Sequence, residues 1–264
     1  MLKIKKLRKV FNAKTINEKV ALNNIDLTLN EGDFVTVIGG NGAGKSTLLN
    51  MIAGVYPMDS GQIILNGIDI SLLPEYKRAK YIGRVFQDPM MGTAAQMQIE
   101  ENLALAKRRG KKRGLAWEIT NSEREEYKVL LQRLGLNLEN RLTSQVGLLS
   151  GGQRQALTLL MATLQSPNLL LLDEHTAALD PKTAESVLQL TQELVAESNL
   201  TTLMITHNMK DAIKYGNRLI MMYNGQIIYS VEGEEKKNLK VEDLLAKFEE
   251  CAGQELSNDR MLLV

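Results

Sequence analysis

Three stretches of this chain hold residues whose types and spacing suit phosphate chemistry. In the run Gly39-Gly40-Asn41-Gly42-Ala43-Gly44-Lys45-Ser46-Thr47, glycines let backbone N–H groups turn inward on an anion. A lysine and two hydroxyls follow at once. Lys45 is set to reach the β- and γ-phosphates of a nucleotide, and the Ser46 hydroxyl to ligate Mg²⁺. In the second stretch, Leu169-Leu170-Leu171-Leu172 ends in Asp173 and Glu174. A carboxylate at a strand end is placed to hold Mg²⁺, and the next one to polarise a water for attack on the γ-phosphate. In the third, His207 closes Thr202-Leu203-Met204-Ile205-Thr206, on the same reasoning a γ-phosphate contact. Gln87, after Arg84-Val85-Phe86 and before Asp88-Pro89, carries a neutral amide able to touch a metal or its water.

A second glycine-led helix start stands at Leu149-Ser150-Gly151-Gly152-Gln153. Ser150 is a good N-cap and the glycines permit close approach, so a helix beginning near Gln153 reads as another anion-facing terminus. Taken alone, Gly151-Gly152 reads first as a flexible helix start. In a single copy this second anion-seeking end has no task, because one γ-phosphate already has the glycine loop, Lys45 and a metal. A two-fold pair of copies supplies the task, each offering its Ser150–Gln153 end to the other's nucleotide.

These groups need elements to hold them. Phe34-Val35-Thr36-Val37-Ile38 reads as a buried strand feeding the glycine loop, and Ser46 to Ala53 as the helix after it, the context that defines a P-loop. The four leucines read as a central parallel strand, with ligands expected at its carboxyl end. Asp180-Pro181 opens a helix, Asp as cap and Pro in the first turn. The chain's start reads as antiparallel strands, Lys3 to Val10 and Val20 to Leu29. Asn66-Gly67 and Asn224-Gly225 are turn signals, the second inside a hairpin pattern over residues 218–229. The expected organisation is one domain over 1–264. Residues 1–86 and 156–234 form the nucleotide-binding core, 88–150 a helical subdomain, and 236–264 a tail with one helix from Val241 to Glu250.

Composition narrows the classes. The 264 residues are 44% hydrophobic and 24% charged, enough for one large α/β domain, and a net charge of +1 gives no case for nucleic acid. The single cysteine, Cys251, fits a reducing compartment. No signal-peptide pattern is visible, and no apolar run approaches the roughly 20 residues a membrane helix needs. A basic run, Lys107-Arg108-Arg109-Gly110-Lys111-Lys112-Arg113, reads first as a solvated loop, with anionic lipid headgroups or nucleic acid as alternative partners. Met90, Met91 and Met97 suit either a groove for a partner helix or core packing.

Taken together, GGNGAGKS, Gln87, LSGGQ, LLLLDE, Ala178-Leu179-Asp180 and His207 stand in the order found in ATP-binding cassette subunits of ABC transporters, and the chain resembles that family over nearly its whole length. The resemblance implies an α/β fold: a P-loop NTPase (RecA-like) core with an antiparallel β subdomain and an inserted helical subdomain. It also implies head-to-tail homodimerisation around two ATP molecules with Mg²⁺, and Phe11 stacked on adenine. The residues it assigns to nucleotide are Gly39 to Thr47, Gln87, Ser150, Gly151, Gly152, Gln153 and Asp180. Lys45, Glu174 and His207 are its catalytic groups, and Ser46, Gln87 and Asp173 its metal contacts. His175 departs from the proline often found after the glutamate, and the apolar Ala156-Leu157-Thr158-Leu159-Leu160-Met161 from the Arg-rich helix of many members. The implied partners are integral membrane permease subunits and an extracytoplasmic solute-binding protein, at the cytoplasmic face of the plasma membrane, with no nucleic acid. Solute import is the leading reading, and residues 88–117 are similar to an importer group associated with tryptophan or tyrosine. An efflux or lipoprotein-release system is the alternative, followed by a soluble ATPase outside transport.

Overall fold

The computed structural model describes residues 1–111 and 119–252, which fall into two compact units, 1–78 with 199–252, and 79–111 with 119–198. The first unit begins with β1 (Leu2–Phe11), β2 (Lys19–Leu29) and β3 (Phe34–Ile38), then α1 (Lys45–Ala53), β4 (Ser60–Leu65), β5 (Ile68–Asp69) and α2 (Glu75–Arg78). The second unit holds β6 (Ile82–Val85), α3 (Ile99–Lys107), α4 (Asn121–Gln132), two short 3₁₀ turns, α5 (Gly151–Thr163), β7 (Leu169–Asp173) and α6 (Pro181–Glu197). The chain then returns to the first unit with β8 (Thr202–Ile205), α7 (Met209–Lys214), β9 (Arg218–Tyr223), β10 (Gln226–Glu232), α8 (Gly233–Lys237) and α9 (Val241–Ala252).

In the first unit, β2-β1-β4-β5 form an antiparallel sheet, and β10-β9-β3-β8 lie side by side in a second. β3 runs parallel to both β8 and β9, which is why all five of its residues are buried and apolar or hydroxylated. The Asn224-Gly225 turn joins β9 to β10 as an antiparallel hairpin, as its sequence signals. α9 runs two residues beyond the sequence expectation and closes this core with Leu244 and Phe248, the Phe248 ring lying edge-on to Tyr223 at 5.7 Å.

In the second unit, β6 and β7 pair in parallel, and the four leucines of β7 are fully buried. A separate apolar core gathers Ile99 and Leu103 of α3, Tyr127 and Leu131 of α4, and Ala156, Leu157 and Leu160 of α5. This explains the apolar run after Gln153: α5 is buried among helices over most of its girth. α5 begins at Gly151, two residues earlier than the sequence suggested, with Ser150 as its cap.

Candidate functional site

The glycine loop connects β3 to α1 in the first unit. Gly39, Gly42 and Gly44 have φ of 151°, 76° and 100°, in the region that favours glycine. Space is as restrictive as conformation: a Cβ on Gly39 would stand 2.2 Å from the Met222 carbonyl oxygen, and one on Gly44 2.5 Å from that of Ala21. Lys45 is buried, and its ammonium donates to the carbonyl oxygens of Gly39 at 2.7 Å and Gly40 at 3.1 Å, which pins its charge over the loop.

Helix α1 differs from its neighbours at its start. Its N-cap is Gly44, which has no side chain to offer the first-turn amides, and that turn holds no acidic residue. By contrast, Thr120, Ser150, Asp180 and Asn208 each place a side-chain oxygen on the first-turn amides of α4, α5, α6 and α7. Four helices cap their own positive ends with an N-cap side chain; α1 does not, and such a helix start suits an anion. The other end of α1 is anchored by a residue that no local sequence pattern singles out. Arg78 is buried and donates to the carbonyls of Met51, Ile52, Ser71 and Leu73 at 2.7–2.9 Å.

Also in this unit, Phe11 ends β1 half-buried, edge-on to Tyr56 with ring centroids 5.4 Å apart, and so is not a core residue. His207 is exposed just past β8, on the loop that Asn208 turns into α7.

In the second unit, Asp173 is half-buried at the end of β7, with the Arg84 guanidinium of β6 3.7 Å away. Arg84 in turn lies 4.4 Å over the Phe86 ring. A basic residue inside the apolar strand Ile82-Gly83-Arg84-Val85 was the available sign of such a partner. Glu174 follows at φ 44°, a left-handed conformation uncommon for a side-chain-bearing residue and one found where a site holds its backbone under strain. His175 is buried. Its Nε2 lies 3.1 Å from Thr191 Oγ1, and that hydroxyl already donates to the Val187 carbonyl at 2.7 Å. The imidazole must therefore donate, which makes it the neutral Nε2–H tautomer, and burial pulls its pKa down to about 4. Sequence reasoning set little store by His175; the structure buries it one residue after Glu174 and ties it to Thr191 of α6.

Gln87 is exposed beyond β6, and the backbone just before it is held by Gln155 of α5, which donates to the Phe86 carbonyl at 3.3 Å. At the head of α5, Ser150 and Gln153 form a reciprocal capping box, Gln153 N–H to Ser150 Oγ and Ser150 N–H to Gln153 Oε1. The amides of Gly151 and Gly152 are not among the groups this box engages. Both glycines also answer to packing: a Cβ on Gly152 would meet Thr183 Cγ2 at 2.2 Å, and one on Gly151 Leu179 Cδ2 at 3.3 Å. Arg154 clasps the preceding turn through the carbonyls of Gly147 and Leu149 at 3.1 and 3.0 Å. Asp180 caps α6 as its sequence indicates, accepting from Thr183 N–H at 3.1 Å; hydrogen bonding from the Thr183 hydroxyl, and then from its N–H, holds the Asp180 carboxyl below the usual range.

The first three residues of the basic run, 107–109, are stitched into the helices rather than freely solvated. Lys107 pairs with Glu126, Arg108 with Glu123, and Arg109 donates to the Ala162 carbonyl at 3.1 Å. Lys111 is exposed, while Lys112 and Arg113 lie outside the described residues. Met90 and Met91 are 43% and 68% exposed, so core packing does not account for them; Met97 is half-buried.

The available donors suit Mg²⁺ with a nucleotide. Among the described residues no three His, Cys, Asp or Glu side chains cluster to hold a metal by themselves. In the first unit Ser46 offers a hydroxyl and in the second Asp173 a carboxylate, each a hard oxygen of the kind Mg²⁺ takes. No helix among the described residues is long and apolar enough to cross a membrane.

Residues 22–177 match the family model described as ABC transporter. The chain is 48% identical over 253 residues to the tyrosine transport ATP-binding protein of Clostridioides difficile, a match spanning 94% of this chain and 99% of that one. It is 33% identical over 227 residues to the spermidine/putrescine import ATP-binding protein of Haemophilus influenzae, covering 86% of this chain and 56% of that longer protein. Its structure is similar to that of an ATP-binding cassette solved as a dimer in a post-hydrolysis state with ADP and Pi. The TM-score is 0.75 at 29% identity, over 88% of this chain and 98% of the other.

Proposed function

Because this chain belongs to the ABC transporter family and is the ATP-binding, ATP-hydrolysing subunit of a transporter, we propose that it powers import of an aromatic amino acid of the tyrosine type. The observation that carries the nucleotide part is the start of α1, the helix end without a side-chain cap or acid, next to a buried lysine. The 48% identity to a tyrosine transport protein over almost all of both chains supports the solute class.

In this reading the α1 amides and Lys45 hold the β- and γ-phosphates, with the loop from Gly39 to Thr47 wrapped around them. Phe11 stacks on adenine. Ser46 and Asp173 with Gln87 would hold Mg²⁺, which would supply charge neutralisation at the phosphates. Glu174 accepts a proton from the attacking water, and His207 donates to the γ-phosphate. The Ser150–Gln153 end of α5, with Asp180, meets the nucleotide of a second copy, so that ATP closes a two-fold dimer and hydrolysis releases it. The exposed Met90 and Met91 receive a helix of a membrane permease at the cytoplasmic face of the membrane, and a solute-binding protein delivers the solute from outside.

Two measurements test this. Glu174→Gln should be a dimer by light scattering in saturating ATP and a monomer without it; a monomer in both sinks the dimer reading. The chain joined to its permease in liposomes should raise its ATPase rate with tyrosine or tryptophan. Stimulation by neither, with a response to polyamines or methionine, would replace the solute class.

A further inference from the structure

We propose that Lys19 is a second ammonium of the nucleotide site, placed by the β1–β2 hairpin on the rim of the glycine loop to meet the charge of the bound polyphosphate. This rests on the reading that the loop holds a nucleotide.

Position is the first support. A methyl group added to Gly42 would stand 3.1 Å from Lys19 Nζ. The ammonium thus occupies the space that a side chain at Gly42 would need, directly above the loop. The backbone that brings it there is fixed rather than loosely draped. β2 carries a register shift at Ala21, between the pairs Lys9–Leu22 and Val10–Val20. There the Ala21 carbonyl comes within 2.5 Å of a Cβ on Gly44, and Asn23 N–H donates to the Gly225 carbonyl at 2.8 Å. Gly225 N–H in turn donates to the Ala43 carbonyl at 3.0 Å. Two residues upstream of this seam sits Lys19.

Its ladder partner is the second support. Lys19 pairs directly with Phe11 across β1 and β2, and residues paired in this way project on one face of the sheet. One hairpin end thus offers an aromatic ring and an ammonium side by side, next to the loop.

The third support is that the charge is uncommitted. Lys19 is exposed, and its ammonium makes no hydrogen bond or ion pair among the described residues. The carboxylate next to it in sequence, Glu18, instead accepts from the backbone N–H of Lys14 at 2.7 Å. Lys9, the other ammonium near Phe11, is tied to Asp59 at 3.0 Å. A solvated ammonium beside a polyanion gains charge-assisted hydrogen bonds without losing an internal partner.

The test uses the purified full chain with ATP as the probe. In Lys19→Met, the Kd and KM for ATP should rise about three- to ten-fold, the range of a partly solvated charge contact, with kcat nearly unchanged. The salt dependence of ATP binding should flatten in the same variant, and Lys19→Arg should restore both. An unchanged Kd in Lys19→Met overturns the proposal. So does a loss that Lys19→Arg fails to recover or that leaves the salt dependence intact, since shape and not charge would then be responsible. Lys45→Ala separates this from the underlying reading. If it binds ATP as the parent does, the loop assignment itself fails; if it loses ATP while Lys19→Met does not, only the Lys19 proposal falls.

Discussion

His175 gives this protein a built-in sensitivity to mild acid. The imidazole is buried, neutral and committed as a donor to Thr191, with its pKa pulled to about 4 by burial against an unfolded value of 6.5. A histidine whose folded pKa lies below its unfolded one makes the unfolded chain the better proton binder between those values. Stability is therefore full above pH 6.5, declines as pH falls toward 4, and levels off below it. For these two pKa values the linkage relation yields a loss of about 2 kcal/mol at pH 5 and about 3 kcal/mol at pH 4, relative to pH 7.5. At about 2–4 °C per kcal/mol for a chain of this size, pH 5 should lower Tm by roughly 4–8 °C from this residue alone. The comparison is His175→Leu, which fills the space without a titrating group; Thr191 keeps its bond to the Val187 carbonyl. Carboxylates held below their usual range, such as Asp69 and Glu123, lose their contribution at lower pH and do so in both proteins. Urea unfolding from pH 7.5 to 5 should thus show the parent falling toward the variant. Parallel curves over that window would refute the account of a neutral, desolvated imidazole.

Other outcomes follow from the same geometry. Gly39→Ala drives a methyl into the Met222 carbonyl at 2.2 Å, and should abolish ATP binding and cost about 2–4 kcal/mol in urea unfolding. Gly152→Ala should cost about 1–3 kcal/mol through its clash with the Thr183 methyl, and Thr183→Ser in the same chain should recover most of it while keeping the α6 cap. Arg78→Met leaves four carbonyls without their shared donor, and should lower unfolding free energy by about 2–4 kcal/mol; Arg78→Lys should recover only part, having no planar fork. Lys45→Ala should eliminate ATPase activity in a phosphate-release assay while leaving the far-ultraviolet circular dichroism unchanged.

What could be read from sequence was what neighbours in sequence decide. The loop glycines, the Asp180-Pro181 helix start, the Asn224-Gly225 hairpin and the all-apolar strands carry their reasons within a few residues. Bonds closing over long separations were not legible: Arg84 to Asp173, His175 to Thr191 and Arg78 to the end of α1; nor was the closeness of the Lys19 ammonium to Gly42. The basic run misled for the same reason, since its counter-charges Glu123 and Glu126 stand on another helix. Gly151 and Gly152 suggested an anion site, and the structure adds a second cause, the closeness of α6, that no local pattern encodes.

The clasp of Arg78 on α1 has a consequence for the economy of a working cycle. A helix that receives phosphate at one end becomes more favourable when its opposite end already faces a cation. Here that cation is locked into the fold by four carbonyls, so its desolvation is incurred once, when the chain folds. Nothing at that end need reorganise as nucleotide arrives and leaves. Turnover after turnover, the loop works against a counter-charge that is already in place.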